Sequence, residues 1–200
     1  MRILQVSTYD KAGGAEAVAW QLFEQYRRRG HRSAIVVGEK SSNDPQVIPL
    51  SRATSDRTSG TSLAHLSQWL SPYEGRVRGV WRMRRWLNAY VGRPKSWWQA
   101  RVGRENFDFP ETWRLLELFP ERPDILHCHN LHGAWLSRGG YFDLRALPWL
   151  SRQVPTVMTL HDTWMLAGHC AYTLGCERWK TGCGHCPDLS IYPAISRDAT

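Results

Sequence analysis

The sequence has no long hydrophobic run, since no apolar stretch approaches the ~18–20 residues that a membrane-spanning helix requires. The N-terminal segment MRILQVST is too short in its apolar part to be a signal peptide. We therefore expect a cytoplasmic protein. Disulfides are rare in the cytoplasm, so clustered cysteines there more often bind a metal or do redox chemistry.

Negative charge is scarce relative to positive charge, and the chain carries a net charge of +8. The excess of positive charge lies in residues 52–104, whose own net charge is +9. Such a segment suits an acidic partner, although a solvated basic helix is the alternative. Tryptophans interleave with arginines in 76–104, which favours peripheral contact with an anionic membrane. No recognised nucleic-acid-binding module occurs, so we expect no nucleic-acid partner.

Short apolar segments predict five buried strands, at 2–8, 33–38, 46–50, 123–130 and 155–162. An amphipathic helix is predicted at 15–30. Its apolar face is expected to carry Val18, Leu22 and Tyr26, with Ala15, Ala19 and Phe23 beside them. A strand, a helix and a strand in this order form a βαβ unit, which implies a parallel sheet. Because Pro148 interrupts the segment before the last strand, we expect a helical or irregular crossover there. The predicted fold is an open, mostly parallel α/β sheet with helices on both faces and a basic helical insertion at 52–104.

Polar residues gather where three of these strands end, and open parallel sheets bind ligands at that edge. Gly13 and Gly14 follow the first strand and lead into a helix, whose N-terminus favours anions. The full G-x-G-x-x-G spacing and the G-K-[ST] ending are both absent, so a simple turn is the alternative. Glu16, in the first helical turn, would repel an anion but could bind a sugar hydroxyl.

Two histidines alternate with Cys128 at the end of the fourth strand, so they share one face of it. We expect His127 to be buried and hydrogen-bonded, and Cys128 to be a core residue. His129 and Asn130 are expected to face the crevice, where they could bind a hydroxyl or a phosphate. A catalytic metal held by the histidine pair and by the His161-Asp162 pair after the last strand is the alternative.

The remaining four cysteines lie close together near the C-terminus, at Cys170, Cys176, Cys183 and Cys186. The last two form a C-x2-C pair, which is typical of half a structural zinc site, whereas the first pair is more widely spaced than usual. A structural zinc ion held by all four cysteines is the leading interpretation, and His169 or His185 could replace one of them. Paired disulfides, free thiols and an iron–sulfur cluster are the alternatives.

Three segments together resemble a known family: AGGAEAVAWQLFEQYRRRGH, PDILHCHNLHGAW and PTVMTLHDTWMLAGHCAYTLGCERWKTGCGHCPDL. They look like the N-terminal half of bacterial retaining glycosyltransferases of the GT-B fold, particularly the exopolysaccharide and lipopolysaccharide enzymes of colanic-acid-like type. The C-E-R-W-K-T-G-C-G-x-C-P stretch is the most specific of these similarities. The resemblance covers roughly residues 1–40 and 105–200.

The resemblance implies that residues 1–200 form one Rossmann-like, acceptor-side domain, with the basic insertion at 52–104 and a cysteine-rich loop at 163–187. The donor-binding C-terminal domain of the family has no counterpart in this chain, so we expect the isolated chain to be inactive. The implied activity is sugar transfer from a nucleotide-sugar co-substrate to a glycan or lipid-linked saccharide acceptor in surface polysaccharide synthesis. No catalytic metal is expected. The implied location is the cytoplasm, peripherally at the inner face of the plasma membrane.

The resemblance also implies roles for individual residues. His129 is the expected catalytic residue, close to the reaction centre. The expected substrate-binding residues are Gly13, Gly14, Glu16, Asn130, His161, Asp162 and Trp164. Two other functions stay open at this point. One is a non-enzymatic module that is stabilised by a structural zinc ion and binds an anionic polymer or a membrane surface. The other is a metal-dependent hydrolase that uses the histidines and Asp162.

Overall fold

The computed structural model describes residues 1–50, 66, 69–70, 73, 77–80, 82–83, 98–99, 101–131 and 140–199. The chain divides into two compact units. The sheet unit comprises Met1–Ala53, Phe107–Gly133 and Tyr141–Asp162. The cysteine unit comprises Thr54–Asn106, Ala134–Gly140 and Thr163–Thr200. That residues 1–200 form a single domain stays a prediction.

The sheet unit contains a five-stranded sheet in which every pair of neighbouring strands is parallel. The strands are β1 (Arg2–Tyr9), β2 (Arg32–Glu39), β3 (Val47–Pro49), β4 (Ile125–His129) and β5 (Thr156–Thr159). Their order is β3-β2-β1-β4-β5, so the chain starts in the middle and winds outwards in both directions. The prediction of a Rossmann-like parallel α/β fold is confirmed.

Helix α1 (Gly14–Arg28) covers one face of the sheet. Its Ala19 and Phe23 are completely buried against Ile35, Val37 and Val47. The prediction that Val18 lies on the apolar face is wrong, since its side chain is 41% exposed. Residues spaced three to four apart share a helix face, so the stripe that contains Ala19 and Phe23 turns Val18 towards solvent.

The second face of the sheet is covered by a 3₁₀ helix at Pro110–Glu117, a 3₁₀ turn at Leu144–Ala146 and helix α2 (Leu147–Gln153). Pro148 lies in the first turn of α2, where its missing N–H costs no helical hydrogen bond. It therefore begins this helix, and the predicted crossover is helical. The first of these three elements is a 3₁₀ helix and the last is an α-helix. A large apolar cluster fills the space between them and the sheet.

Cys128 lies in that cluster and is completely buried, as predicted. Burial raises the pKa of its thiol to about 12, so it stays protonated and acts as a small apolar side chain.

In the cysteine unit, the described residues from Thr163 onwards are mostly loops, with one 3₁₀ turn at Arg178–Lys180. Backbone hydrogen bonds fix these loops. The N–H of Thr163 donates to the carbonyl of Ala171 at 3.0 Å, and the N–H of Ala171 donates to that of Tyr192 at 2.8 Å. Most of the predicted basic insertion, and of its membrane-contacting segment 76–104, lies outside the described residues. Within the described part of the chain, no helix is long and apolar enough to cross a membrane.

Candidate functional site

The candidate site lies at the carboxyl edge of the sheet unit. Because β1, β4 and β5 are adjacent and parallel, their carboxyl ends meet at one edge. As predicted, these strands end close to the Gly13-Gly14 loop, at His129-Asn130 and just before His161-Asp162. This edge is where open α/β sheets bind their ligands.

Three histidines form a continuous cluster at this edge. The rings of His127 and His129 are 4.1 Å apart between centroids, which confirms that they share a face of β4. The rings of His129 and His161 are stacked, with centroids 5.3 Å apart. His129 Nδ1 lies 3.0 Å from His161 Nε2, so the two imidazoles share a hydrogen bond.

His127 is buried and hydrogen-bonded, as expected. Its Nε2 is 2.8 Å from Thr159 Oγ1, and its Nδ1 is 3.3 Å from the hydroxyl of Tyr26. Burial lowers the pKa of His127, and the nearby His161 adds to the effect. Each ring nitrogen of His127 is thus within hydrogen-bond distance of an uncharged hydroxyl group.

The expectation that His129 faces the crevice is wrong, because its side chain has no exposed surface. Its ring lies beside the completely buried Gln5, whose amide contacts the carbonyl of Ala19 in α1, so His129 is on the face of the sheet that α1 covers. Burial lowers the pKa of His129 to about 3, with further contributions from His127 and His161. His129 is therefore neutral at ordinary pH. His161 is half-buried and is the more accessible member of the hydrogen-bonded pair.

The backbone of Asn130 has a φ of 43° and is held in this left-handed conformation by two hydrogen bonds. Thr8 Oγ1 and the hydroxyl of Tyr141 each donate to its carbonyl oxygen at 3.0 Å. Asparagine tolerates this conformation better than most residues. The half-buried Asn130 side chain is thus presented from a fixed turn beside the histidine cluster.

The glycine loop has a carboxylate close to it. Gly13 and Gly14 are exposed, whereas Glu16 is only 9% exposed. A Cβ on Gly13 would lie 3.1 Å from Glu16 Oε2, so the carboxylate folds back over this glycine at the start of α1. A phosphate at the same place would meet a like charge, whereas a hydroxyl could donate to the carboxylate.

Asp10 is a site residue that the sequence reasoning missed. Its carboxylate is completely buried and accepts backbone N–H groups of Lys11, Ser41 and Ser42 at 3.1, 2.8 and 2.7 Å. Burial would raise the pKa of Asp10, but hydrogen bonds from Ser42 and Ser41 outweigh burial and lower it. Asp10 therefore joins the loop after β1 to the loop after β2. An aspartate that directly follows an apolar strand was the available signal.

Trp164 and the four clustered cysteines belong to the cysteine unit. Trp164 is 5% exposed. None of the four cysteines is in a disulfide bond. Burial raises the pKa of Cys170, and the neighbouring Cys183, Cys186 and Cys176 add to the effect. Gly168 N–H donates to Cys183 Sγ at 3.1 Å, and His169 Nε2 lies 3.4 Å from Cys186 Sγ.

These contacts place the four thiols in one neighbourhood. In the described residues, however, no group of three or more His, Cys, Asp and Glu side chains is arranged to hold a metal ion. Zinc binding by the cysteines therefore stays a prediction. So does the alternative of a catalytic metal at the histidines.

Comparison with known proteins identifies the family. The model of "Glycosyltransferase Family 4" matches residues 12–182, which is most of the chain. The chain belongs to glycosyltransferase family 4. The resemblance to glycosyltransferases is thereby confirmed at the level of the family, and the matched region includes the glycine loop, the histidine cluster and two of the four clustered cysteines, Cys170 and Cys176.

A curated relative of this family 4 chain is the "Putative colanic acid biosynthesis glycosyl transferase WcaC" of Escherichia coli (strain K12). The two are 43% identical over 79 residues, which is 38% of this chain and 19% of the relative. The match thus spans about a fifth of the relative's length. No solved structure matches the chain.

Proposed function

We propose that this chain is the acceptor-binding part of a retaining GT-B glycosyltransferase. In the proposed reaction, a sugar passes from a nucleotide-sugar donor to a glycan or lipid-linked saccharide during surface polysaccharide synthesis. The observation that carries the proposal is the family 4 match, over a parallel sheet whose carboxyl edge holds a histidine cluster. Similarity to a putative colanic acid biosynthesis glycosyl transferase supports the polysaccharide product.

A retaining transfer requires an oriented acceptor hydroxyl and a stabilised diphosphate leaving group. We assign the substrate contact at the histidine cluster to His161, because it is half-buried at the carboxyl edge. His129, the residue expected to be catalytic, is completely buried and within hydrogen-bond distance of His161. We therefore propose that His129 acts through His161.

The surrounding polar groups suit a saccharide. The Glu16 carboxylate beside Gly13 favours a hydroxyl over a phosphate, so we propose that the acceptor approaches the Gly13-Gly14 loop. Asn130 and Asp162 would bind further hydroxyls. Trp164 stays a proposed substrate contact of the cysteine unit. The nucleotide sugar is the only co-substrate proposed, without a catalytic metal.

We also propose a place in the cell. The protein would act in the cytoplasm, peripherally at the inner face of the plasma membrane, where lipid-linked acceptors are found. Residues 76–104 would contact the anionic surface. Residues 1–200 on their own are expected to transfer no sugar, because the resemblance assigns donor binding to a second domain.

The proposed function is tested by sugar transfer with the protein that carries this chain. Radiolabelled nucleotide sugars are offered one at a time, with bacterial membranes as the source of lipid-linked acceptors. The proposal predicts label in a lipid-extractable product from one nucleotide sugar. If a folded protein transfers label from none of them to any acceptor, the proposal is wrong.

The two replacements Asn130→Gly and Asn130→Ala separate the role of the turn from that of the side chain. Alanine should be less stable than glycine here by about 1 kcal/mol, because the left-handed conformation disfavours a Cβ. Urea unfolding measures this difference. If the amide binds substrate, both variants should lose sugar transfer. Full transfer in Asn130→Gly would exclude the binding role, and equal stability would exclude the conformational one.

Zinc binding by the four clustered cysteines is tested by metal analysis of protein purified under reducing conditions. We expect about one zinc ion per chain, because four neighbouring thiolates match the ligands of a structural zinc site. Cys183→Ser should lower the zinc content. The control Cys128→Ala, which removes a core cysteine of the sheet unit, should leave it unchanged. Less than about half an equivalent of zinc in the unaltered protein would contradict a dedicated site.

A further inference from the structure

A buried glutamine is connected to the histidine cluster. Gln5 lies in the middle of β1 and has no exposed surface. Its Nε2 is 3.1 Å from the carbonyl oxygen of Ala19 in α1 and 3.4 Å from His129 Nε2. Its Oε1 is buried and has no hydrogen-bond partner in the described part of the chain. Burying a polar side chain costs free energy unless it is hydrogen-bonded, and the unpartnered Oε1 leaves part of that cost unrecovered, so Gln5 calls for an explanation beyond stability.

The orientation of the Gln5 amide follows from its contact with Ala19. A backbone carbonyl can only accept a hydrogen bond, so the amide nitrogen must face Ala19, and the reverse orientation would place two oxygens together. The NH2 group has a second hydrogen, and the other atom within reach of it is His129 Nε2. This nitrogen must therefore be the unprotonated, accepting nitrogen of the ring.

The accepting role of His129 Nε2 also determines which nitrogen of His161 accepts a hydrogen bond. A neutral imidazole carries one proton, so an accepting Nε2 on His129 places that proton on Nδ1. His129 Nδ1 then donates to His161 Nε2 across 3.0 Å. His161 Nε2 accepts in turn, which places the proton of a neutral His161 on its Nδ1. His127 does not hydrogen-bond to either of these rings, because its two nitrogens contact the hydroxyl groups of Tyr26 and Thr159.

We propose that Gln5 is a positioning residue, which through His129 fixes Nε2 of His161 as a hydrogen-bond acceptor and leaves the Nδ1–H of His161 to donate to an oxygen atom of the bound substrate. The inference deepens the proposed function and rests on it, since it assigns a substrate to this edge of the sheet. An N–H donor whose orientation is fixed before binding stabilises charge on a sugar or phosphate oxygen without reorganisation. His161 would thus act as a hydrogen-bond donor and not as a base through Nε2.

The tautomers can be measured without any sugar. Long-range ¹H–¹⁵N correlation spectra of the ¹⁵N-labelled protein at neutral pH distinguish protonated from unprotonated ring nitrogens. We expect His129 and His161 each to carry a single proton, on Nδ1. A proton on Nε2 of either ring, or double protonation of either ring, would overturn the proposal. Because the readout involves no substrate, it can fail or succeed independently of the sugar-transfer assay.

Two replacements test whether Gln5 sets these tautomers. In Gln5→Glu the carboxylate can only accept, so the protons of His129 and His161 should both move to Nε2. In Gln5→Met, which serves if the buried carboxylate prevents folding, the resonance of His129 Nε2 should shift because that nitrogen loses its hydrogen bond. The control Ser33→Ala alters a buried polar side chain of β2 that pairs with Ile3, towards the amino edge of the sheet, and should leave the histidine spectra unchanged. Unchanged spectra in a folded Gln5 variant would overturn the role of Gln5.

Discussion

Replacing His161 by alanine should lower the rate of sugar transfer by about 10²-fold or more, the loss typical of removing one preorganised hydrogen-bond donor from a reaction centre. His161 is the accessible end of the histidine cluster, and no other ring of the cluster is exposed enough to replace it. The fold should survive, because the residue lies beyond the end of β5 and is only half-buried. Initial rates with the radiolabelled nucleotide sugar measure the effect.

The matched control for this prediction is His31→Ala. His31 lies just before β2, at the amino edge of the sheet, close to the N-terminal amine. Its replacement should leave the transfer rate unchanged. Thermal unfolding of both variants shows whether either has lost its fold. If His161→Ala folds and transfers sugar at the unaltered rate, the assignment of the substrate contact is wrong.

Replacing Gly38 by alanine should destabilise the sheet unit by about 1–3 kcal/mol or more, the usual cost of overpacking a core. A Cβ on Gly38 would lie 2.6 Å from Cγ and 2.7 Å from Cβ of Tyr141, which is completely buried. Tyr141 cannot move aside without losing its hydrogen bond to the carbonyl of Asn130. The clash would therefore disturb both the core and the turn that presents Asn130.

Urea unfolding of Gly38→Ala measures this cost, and Gly14→Ala is its control. A Cβ on Gly14 would meet no atom within 4 Å, and alanine is the better helix former at the start of α1. Gly14→Ala should therefore be as stable as the unaltered protein or slightly more stable. Equal stability of Gly38→Ala and the unaltered protein would show that the core accommodates the extra methyl group.

The architecture could be predicted from the sequence because it depends on local patterns. Short apolar runs predicted all five strands, and the βαβ order predicted a parallel sheet. Details that depend on packing could not be predicted from the sequence. The exposure of Val18 and the position of Pro148 at the start of α2 both depend on how each helix lies against the sheet.

The candidate site was predictable in its location but not in its geometry. Ligands bind beyond the carboxyl ends of parallel strands, and this rule selected the glycine loop, the His127 and His129 pair and the His161-Asp162 pair. Which histidine is accessible depends on how α1 packs against β4, and periodicity along β4 does not reveal it. Gln5 and Asp10 were missed because their partners, at Ala19, His129, Ser41 and Ser42, are distant in sequence. The visible signal for Gln5 was one polar residue inside the apolar strand RILQVST.

The most direct test of the account is the anomeric configuration of the bond that the protein forms. The protein that carries this chain is incubated with the nucleotide sugar that labels the lipid-extractable product, and the product is analysed by NMR. The account predicts transfer of the sugar to a saccharide acceptor with the anomeric configuration of the donor retained. A product of inverted configuration, or a folded protein that only hydrolyses the nucleotide sugar, would contradict it.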